Sequence, residues 1–352
     1  MKEKANEKLV LTYSRMSSYL TCPTLEYYQY RAGGCGIEGT EPYLPFIEGE
    51  FLHYALHHWY KSQRMLRDNL IRRITKKIDE VKELGGGAGL LPEVDDKLRV
   101  SLTAMVGACL GYKDRYRTDF TQHDVVLTEA PFRVEMQDLG IFLEGKIDLL
   151  TRTRDKDKKL VLWEHKAVGD VAQDSYVALP LSFQDMVYCL GVEQLTGDLP
   201  DLTQRNYILK SRLRRKGELA KSNLETLPCF EARVLAQYME EPDKKFFRPP
   251  PLRVLPVTVE CVMEHLNKLI TQFRGGFDET PLMNFTSCLG MYGQACRFVP
   301  ACVAKMQKHA DGWNAPECQG LFRPKKLQHP ELKVEKEEEE EDGKAKDKTG
   351  KR

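Results

Sequence analysis

The 352-residue chain contains no run approaching the roughly 18 consecutive apolar residues that a membrane-spanning helix needs. Its opening, MKEKANEKLV, carries charge with no apolar stretch behind it, so no secretory leader is expected. Charge of one sign is lacking too: 53 Lys and Arg balance 52 Asp and Glu, for a formal net of +1. No global basic field therefore announces a nucleic-acid partner, although a local basic groove remains compatible with this balance. There is no internal repeat. Apolar residues almost vanish beyond about Glu331, where ELKVEKEEEEEDGKAKDKTGKR reads as a disordered tail over 331–352.

What is present supports a full core. Hydrophobic residues make up 41% of the chain, enough for one large or two ordinary domains. Ten cysteines in an unexported chain of this length are not expected to form a disulfide framework. A cytoplasmic, reducing setting leaves them as core thiols or metal ligands.

The pattern along the chain places helices first. SRMSSYLTCPTLEYYQYR (14–31) predicts a helix capped by Ser14, with a break at Cys22–Pro23. Amphipathic helices are predicted over 45–63 and 95–116, with LGGGAGLLP (84–92) as a loop between helices. HDVVLTEAPFRVEM (123–136) alternates as a strand, and a hairpin over 143–168 follows. A helix over 178–197, a strand with a basic end over 204–215 and a late helix over 258–276 complete the order. FFRPPPLRVLP (246–256) is a punctuated connection. This order predicts an α/β fold with a central mixed β-sheet flanked by helices.

The hairpin raises the functional question. In its second strand Leu160, Leu162, Glu164 and Lys166 share one face, and Lys159, Val161, Trp163 and His165 the other. Apolar residues on both faces predict a covered, interior strand, with EHK at its far end. A hairpin closing symmetrically about Lys156 sets Asp148 opposite Glu164, with Cβ atoms about 5 Å apart. Two carboxylates so placed grip one hard cation, and without a cation their repulsion in a covered site is costly. Lys166 projects from the same face as Glu164. Asp, Glu and Lys at one point suit phosphodiester hydrolysis with Mg²⁺ or Mn²⁺. Gly145, in mid-strand, leaves room for a close approach by another backbone or a substrate. The competing reading is a Glu–Lys pair on an exposed strand, with Asp148 near a turn.

Further motifs carry a resemblance. Gly49-Glu-Phe-Leu-His53, Gly145-Lys-Ile-Asp148, Glu164-His-Lys166 and Gln184-Asp-Met-Val-Tyr188 follow one another in that order. Gln184 and Tyr188, four apart, share one helix face. His53 and His57 have the spacing of a helical zinc pair, but HYALH lacks the glutamate of H-E-x-x-H. The four motifs together resemble the RecB-like branch of the PD-(D/E)XK nuclease superfamily, over roughly residues 12–305. The resemblance implies a restriction-endonuclease-like core over 121–275 behind a helical N-terminal region over 1–120. It implies Asp148, Glu164 and His53 as ligands of the divalent cation and Lys166 as the catalytic lysine. Gln184 and Tyr188 then position DNA or the active-site edge, and Glu129, in LTEAPF, matches a recurrent supporting acid.

Cys288, Cys296 and Cys302 stand near the end, separated by seven and five residues, with Cys22 far upstream. Iron–sulfur members of the same branch, which include AddB-type nucleases and CRISPR-associated iron–sulfur exonucleases, bind a 4Fe–4S cluster through one cysteine before the core and three after it. The resemblance therefore implies such a cluster at Cys22, Cys288, Cys296 and Cys302, within a segment over 276–330 packed back on the N-terminal part. The gap of seven departs from the tighter spacing commonest in that branch. A Cys₄ zinc site and a set of core cysteines are the alternatives, and Cys318 is a possible substitute for one of the four. Arg212, Arg214 and Arg215, or Arg72, Arg73, Lys76 and Lys77, are available for DNA phosphates, the early-helix set reading better as solvated charge. The expected activity is metal-dependent DNA hydrolysis, exonucleolytic, in recombination, repair or CRISPR adaptation. Single-stranded DNA or duplex ends are the expected partners, with a helicase or adaptation protein alongside, in a prokaryotic or viral setting. A catalytically silent DNA-end-binding or assembly subunit on the same scaffold is the alternative.

Overall fold

The computed structural model describes residues 9–84, 91–171, 182–218, 223–275, 281, 283–288, 295–307, 312–329 and 332. The elements run in this order: β1 (Leu9–Thr12), α1 (Tyr13–Thr21), α2 (Pro23–Glu26) continuing into a π-helical turn (Tyr27–Arg31), β2 (Ile37–Gly39), α3 (Leu44–Ser62), α4 (Arg67–Leu84), α5 (Pro92–Arg115), α6 (Asp119–Gln122), β3 (His123–Met136), β4 (Ile141–Thr153), β5 (Leu160–Val168), α7 (Phe183–Thr196), β6 (Leu202–Leu209), α8 (Leu227–Glu240), α9 (Pro242–Lys245), β7 (Phe246–Phe247), β8 (Leu252–Arg253), α10 (Pro256–Gly275), α11 (Val299–Met306) and β9 (Phe322–Pro324).

The central sheet is mixed and runs β1-β4-β5-β6-β7, with β3 also paired to β4 and β8 to β6. β4 is the long spine. It runs parallel to β1 over Ile141–Glu144 and antiparallel to β3 along most of its length. Its last turns pair antiparallel to β5. β5 and β6 are parallel, joined by the crossover that contains α7. Helices cover both faces. On one, residues of α3, α4, α5 and α8 pack with Leu149, Val161, Trp163 and Ile208. On the other, α1, α7 and α10 pack with Leu143, Ile147, Leu160 and Leu162. β5 thus contributes alternate residues to two cores, as its unbroken apolar run predicts.

Three local readings change. Thr12, not Ser14, caps α1: it is still extended as the last residue of β1, and its hydroxyl accepts the Arg15 N–H at 3.1 Å. The first 120 residues are not wholly helical, because β1 joins the central sheet. The 204–215 strand stops at Leu209, after which the basic residues leave the sheet. Helix α7 begins at Phe183 behind a Ser182 cap, and the predicted start at 178–181 lies outside the described residues. The 84–92 loop largely lies outside them too, as does the tail apart from Leu332.

A third, smaller cluster joins the two ends of the chain. Tyr28, Ala32 and Ile37 pack with Phe298, Ala301, Ala304 and Cys318. Tyr28 stacks on Phe298 at 5.5 Å and donates to the Ala301 carbonyl at 3.1 Å. β2 and β9 pair alongside.

Candidate active site

The β4–β5 ladder holds the site. Its rungs are Leu149↔Trp163, Leu150↔Leu162, Thr151↔Val161 and Arg152↔Leu160, the register expected from symmetry about Lys156. The next rung would set Asp148 against Glu164, but the ladder ends there. Asp148 instead turns its carboxylate to the strand end, where Oδ2 accepts the His165 backbone N–H at 2.8 Å. The strands separate where the acids begin, and the gap lies under helix α3.

Helix α3 lowers His53 into that gap. His53 Nδ1 stands 3.3 Å from Asp148 Oδ1 and 3.2 Å from Glu129 Oε1. Each of these three side chains offers a ligand atom, all within 4.8 Å of one another. Glu129 reaches in through a backbone irregularity. It sits between the rungs Thr128↔Leu149 and Ala130↔Ile147, just beyond a register shift at Val125/Leu127, and has a φ of 48°. A left-handed glutamate in a strand stores about 1–3 kcal/mol and persists only where its surroundings demand it. Lys146 pairs with its second oxygen.

The electrostatics are those of acids confined together. Burial first, then the Glu164 carboxylate, push Asp148 up to about 7. Burial alone would lower His53, but Asp148 and the hydrogen bond to Glu129 raise it to about 9. Burial opposes the charge of Glu129, yet His53 and Lys146 bring it down to about 2. A divalent cation would relieve this crowding, and one imidazole nitrogen with two carboxylates offers it a donor set.

Glu164 lies beside that set rather than inside it. The sequence motifs imply Glu164 as the second acid on the cation, with Glu129 as support. Among the described residues, the tight set is instead His53, Glu129 and Asp148. The cause is the ladder's early end together with the turned backbone at Glu129. Glu164 Oε1 pairs with Lys166 and accepts from Gln184 Nε2 at 2.6 Å, while its Oε2 is buried with no hydrogen-bond partner. A buried carboxylate oxygen without a partner is costly, and a bound cation would satisfy it. Burial opposes the Glu164 charge, but Lys166 and Arg205 hold it below the usual carboxylate range. Burial likewise opposes the Lys166 ammonium, and Glu164 and Asp148 keep it charged. Tyr188, one turn beyond Gln184, has its phenol pushed well up by burial and by the Glu164 and Asp148 charges, so it stays a neutral donor.

Behind β5, on the other face, His165 anchors the strand. Asn206 Nδ2 donates to His165 Nδ1 at 2.8 Å, and Asn206 Oδ1 accepts from Arg248 Nε at 3.2 Å. Arg248 forks onto Asp119 at 2.9 and 2.8 Å, donates to the Tyr112 hydroxyl at 2.8 Å and lies 3.4 Å over the Tyr116 ring. This polar network was not visible in FFRPPPLRVLP, where Arg248 looked like part of a linker.

Gly145 is filled from the neighbouring strand rather than by a substrate. It pairs with Phe132, whose ring lies where a Cβ on Gly145 would stand and also fills the space beside Gly191 of α7. The ring meets Tyr188 edge-on at 5.7 Å. Gly145→Ala is expected to destabilise the fold by about 1–3 kcal/mol through overpacking. Urea unfolding should show this loss, and adding Phe132→Leu should recover most of it.

The cysteines converge as well. Cys302 is pushed up to about 12 by burial and then by Cys296, Cys22 and Cys288, and Cys296 is raised by burial and by Cys288 and Cys22. The four thiols therefore lie within electrostatic reach of one another. Cys296 N–H donates to the Cys288 carbonyl at 2.8 Å, and Asn284 N–H meets Cys22 Sγ at 3.3 Å. Cys318 is buried in the Tyr28 and Phe298 cluster, and its raised thiol owes nothing to the other four, only to burial and Glu317.

The basic candidates divide. Arg73 is not solvated: it is buried, 5.0 Å over the Tyr54 ring, and bonded to Glu80. Lys77 pairs with Glu50 at 2.6 Å. Arg215 is held by Asp96 and the Glu225 carbonyl, whereas Arg212 is 76% exposed beside Asp170.

With this geometry in place, the comparisons with known proteins can be stated. The chain belongs to the PD-(D/E)XK nuclease superfamily, matching that family over residues 10–302. Membership points to a metal-dependent nuclease. No curated protein matches the chain. One similar solved structure is "Crystal structure of SSO0001", at 16% identity over 55% of this chain and 84% of that one, with a TM-score of 0.22. No helix among the described residues is long and apolar enough to cross a membrane.

Proposed function

We propose that the protein is an Mg²⁺- or Mn²⁺-dependent deoxyribonuclease of the RecB-like, iron–sulfur type. The observation that carries this reading is the meeting of His53, Glu129 and Asp148 within 4.8 Å of one another, beside Glu164 and Lys166 at the open end of the β4–β5 ladder. His53, Glu129 and Asp148 would hold the cation, with the orphaned Glu164 Oε2 completing its surroundings. A cation held there would supply positive charge to a phosphodiester and lower the pKa of a bound water. Lys166 is the group placed to orient that water or to donate to a phosphoryl oxygen as charge develops. Gln184 fixes Glu164, and the Tyr188 phenol is available to a phosphate oxygen. Phe132 and Trp163 are buried beside these strands, one in the core on each face of the sheet.

The family resemblance favours action from DNA ends, in recombination, repair or CRISPR adaptation, beside a helicase or adaptation partner. The test uses end-labelled single-stranded and duplex DNA with metal-stripped protein, then restores Mn²⁺ or Mg²⁺. Degradation that depends on the cation is expected. Tight DNA binding without cleavage under any cation would favour the catalytically silent end-binding subunit instead.

For Cys22, Cys288, Cys296 and Cys302 the cluster reading is supported by their count and by the electrostatic reach of the four thiols on one another. Purified protein is expected to contain iron and acid-labile sulfide. Cys22→Ser should lose both and destabilise the fold by about 3–5 kcal/mol, the scale of a crosslink closing a long loop. Cys109→Ser, a core thiol, should keep them. Stoichiometric zinc without iron would replace the cluster reading.

A further inference from the structure

Arg205 lies in the buried middle of β6, among Thr203, Gln204 and Asn206, ahead of the basic run that follows the strand. On β6 it stands in register with Glu164 of β5. Its side chain is only 9% exposed, and it faces an acid held 4% exposed. Nη1 lies 3.8 Å from Glu164 Oε1. Nη2 donates to Ser182 Oγ at 2.7 Å and pairs with Asp185 Oδ1. Ser182 is the cap of α7, and its hydroxyl also accepts the Asp185 N–H. Two consecutive residues of the first turn therefore face the same place: Asp185 is clamped by Arg205, and Gln184 is bonded to Glu164.

A buried arginine–aspartate pair is a weak source of stability, since desolvation offsets most of its attraction. This pair is also imperfectly satisfied: Arg205 Nε, Asp185 Oδ2 and Glu164 Oε2 are all buried with no hydrogen-bond partner. Its geometry, by contrast, is specific. One planar fork spans the sheet, the helix cap and the first turn, which a lysine cannot do. Resting on the nuclease reading, we propose that Arg205 and Asp185 are positioning residues that dock the first turn of α7 against β5, so that Gln184 and Tyr188 hold Glu164 and the substrate phosphate in register.

Replacing the pair together, Arg205→Met with Asp185→Leu, separates positioning from stability. The unfolding midpoint is expected to stay within a few degrees of wild type or to rise. The kcat for DNA cleavage should fall roughly 10–100-fold, the cost of a displacement near 1 Å, with KM changed by less than about threefold. Arg205→Lys keeps the charge beside Glu164 but not the fork, and should remain impaired. In a Gln184→Ala background, Arg205→Met should cost less than about threefold further, because the route through α7 is already broken. An active, stable apolar pair would overturn the proposal. So would full recovery by Arg205→Lys, or losses from Arg205 and Gln184 that multiply independently. If the paired variant fails to fold, the lysine variant and the Gln184 cycle still decide. Wild-type protein inert on all DNA would instead remove the nuclease reading on which the proposal rests.

Discussion

Lys166→Ala is expected to lower cation-dependent DNA cleavage by about 10²–10³-fold, the range found when one preorganised donor is removed from a transition state. Lys166 reaches the site from the end of β5, 38% exposed and tied to Glu164 Oε1. Most of its value lies in charge that develops only during reaction, so DNA affinity in Ca²⁺ should change by less than about threefold. Glu164 keeps Gln184 and Arg205 as partners in the variant, and the fold should persist by circular dichroism. Asp148→Asn should be at least as severe, because it removes the negative charge from one of the three ligand groups around the proposed cation position. Initial rates on end-labelled DNA, measured at saturating Mn²⁺, provide the comparison. Wild-type rates from both variants would mean that cleavage arises elsewhere.

The largest effect on stability is expected at Arg248. Its fork closes on Asp119, and its remaining donors meet Asn206 and Tyr112 between the Tyr116 and Trp163 rings. Arg248→Ala leaves Asp119, which is buried, without its cation. Breaking a buried pair from one side costs about 3–5 kcal/mol. Chemical denaturation with two-state fitting should show a loss of that size, and Arg248→Met with Asp119→Leu should return much of it. The defect should also reach the front of the sheet, because Asn206 links Arg248 to His165, whose backbone N–H holds Asp148. A variant of unchanged stability would show that the network is solvated and weak.

The sequence made the hairpin legible because β5 is apolar on both faces and its turn is charged, so counting from Lys156 returned the observed register. Period-two counting could not show that the ladder stops before Asp148, since that depends on backbone separation rather than on side-chain pattern. The approach of Glu129 to His53 was hidden for a related reason. A register shift and a positive φ rotate it toward His53, and neither leaves a mark in LTEAPF. Arg205 did leave a mark: a cation within a covered strand needs a partner, and the in-register residue on β5 is an acid. The order of helices and strands was readable from periodicity, whereas β1 was not, because four residues are too few to show a period. Gly145 was noticed for the right property, its missing side chain, but the ring that fills the space belongs to the antiparallel neighbour, Phe132.

The joining of Tyr28 to Ala301 spans 273 residues of chain. A ribosome adding about 5–20 residues per second needs roughly 15–55 s to bridge that interval. Throughout it, Tyr28 and Ile37 await the Phe298 and Ala301 surface that later buries them, while the sheet can already assemble around β4. The nascent protein thus carries an unfinished apolar seam for most of its synthesis, and that seam is where a chaperone would have most to protect.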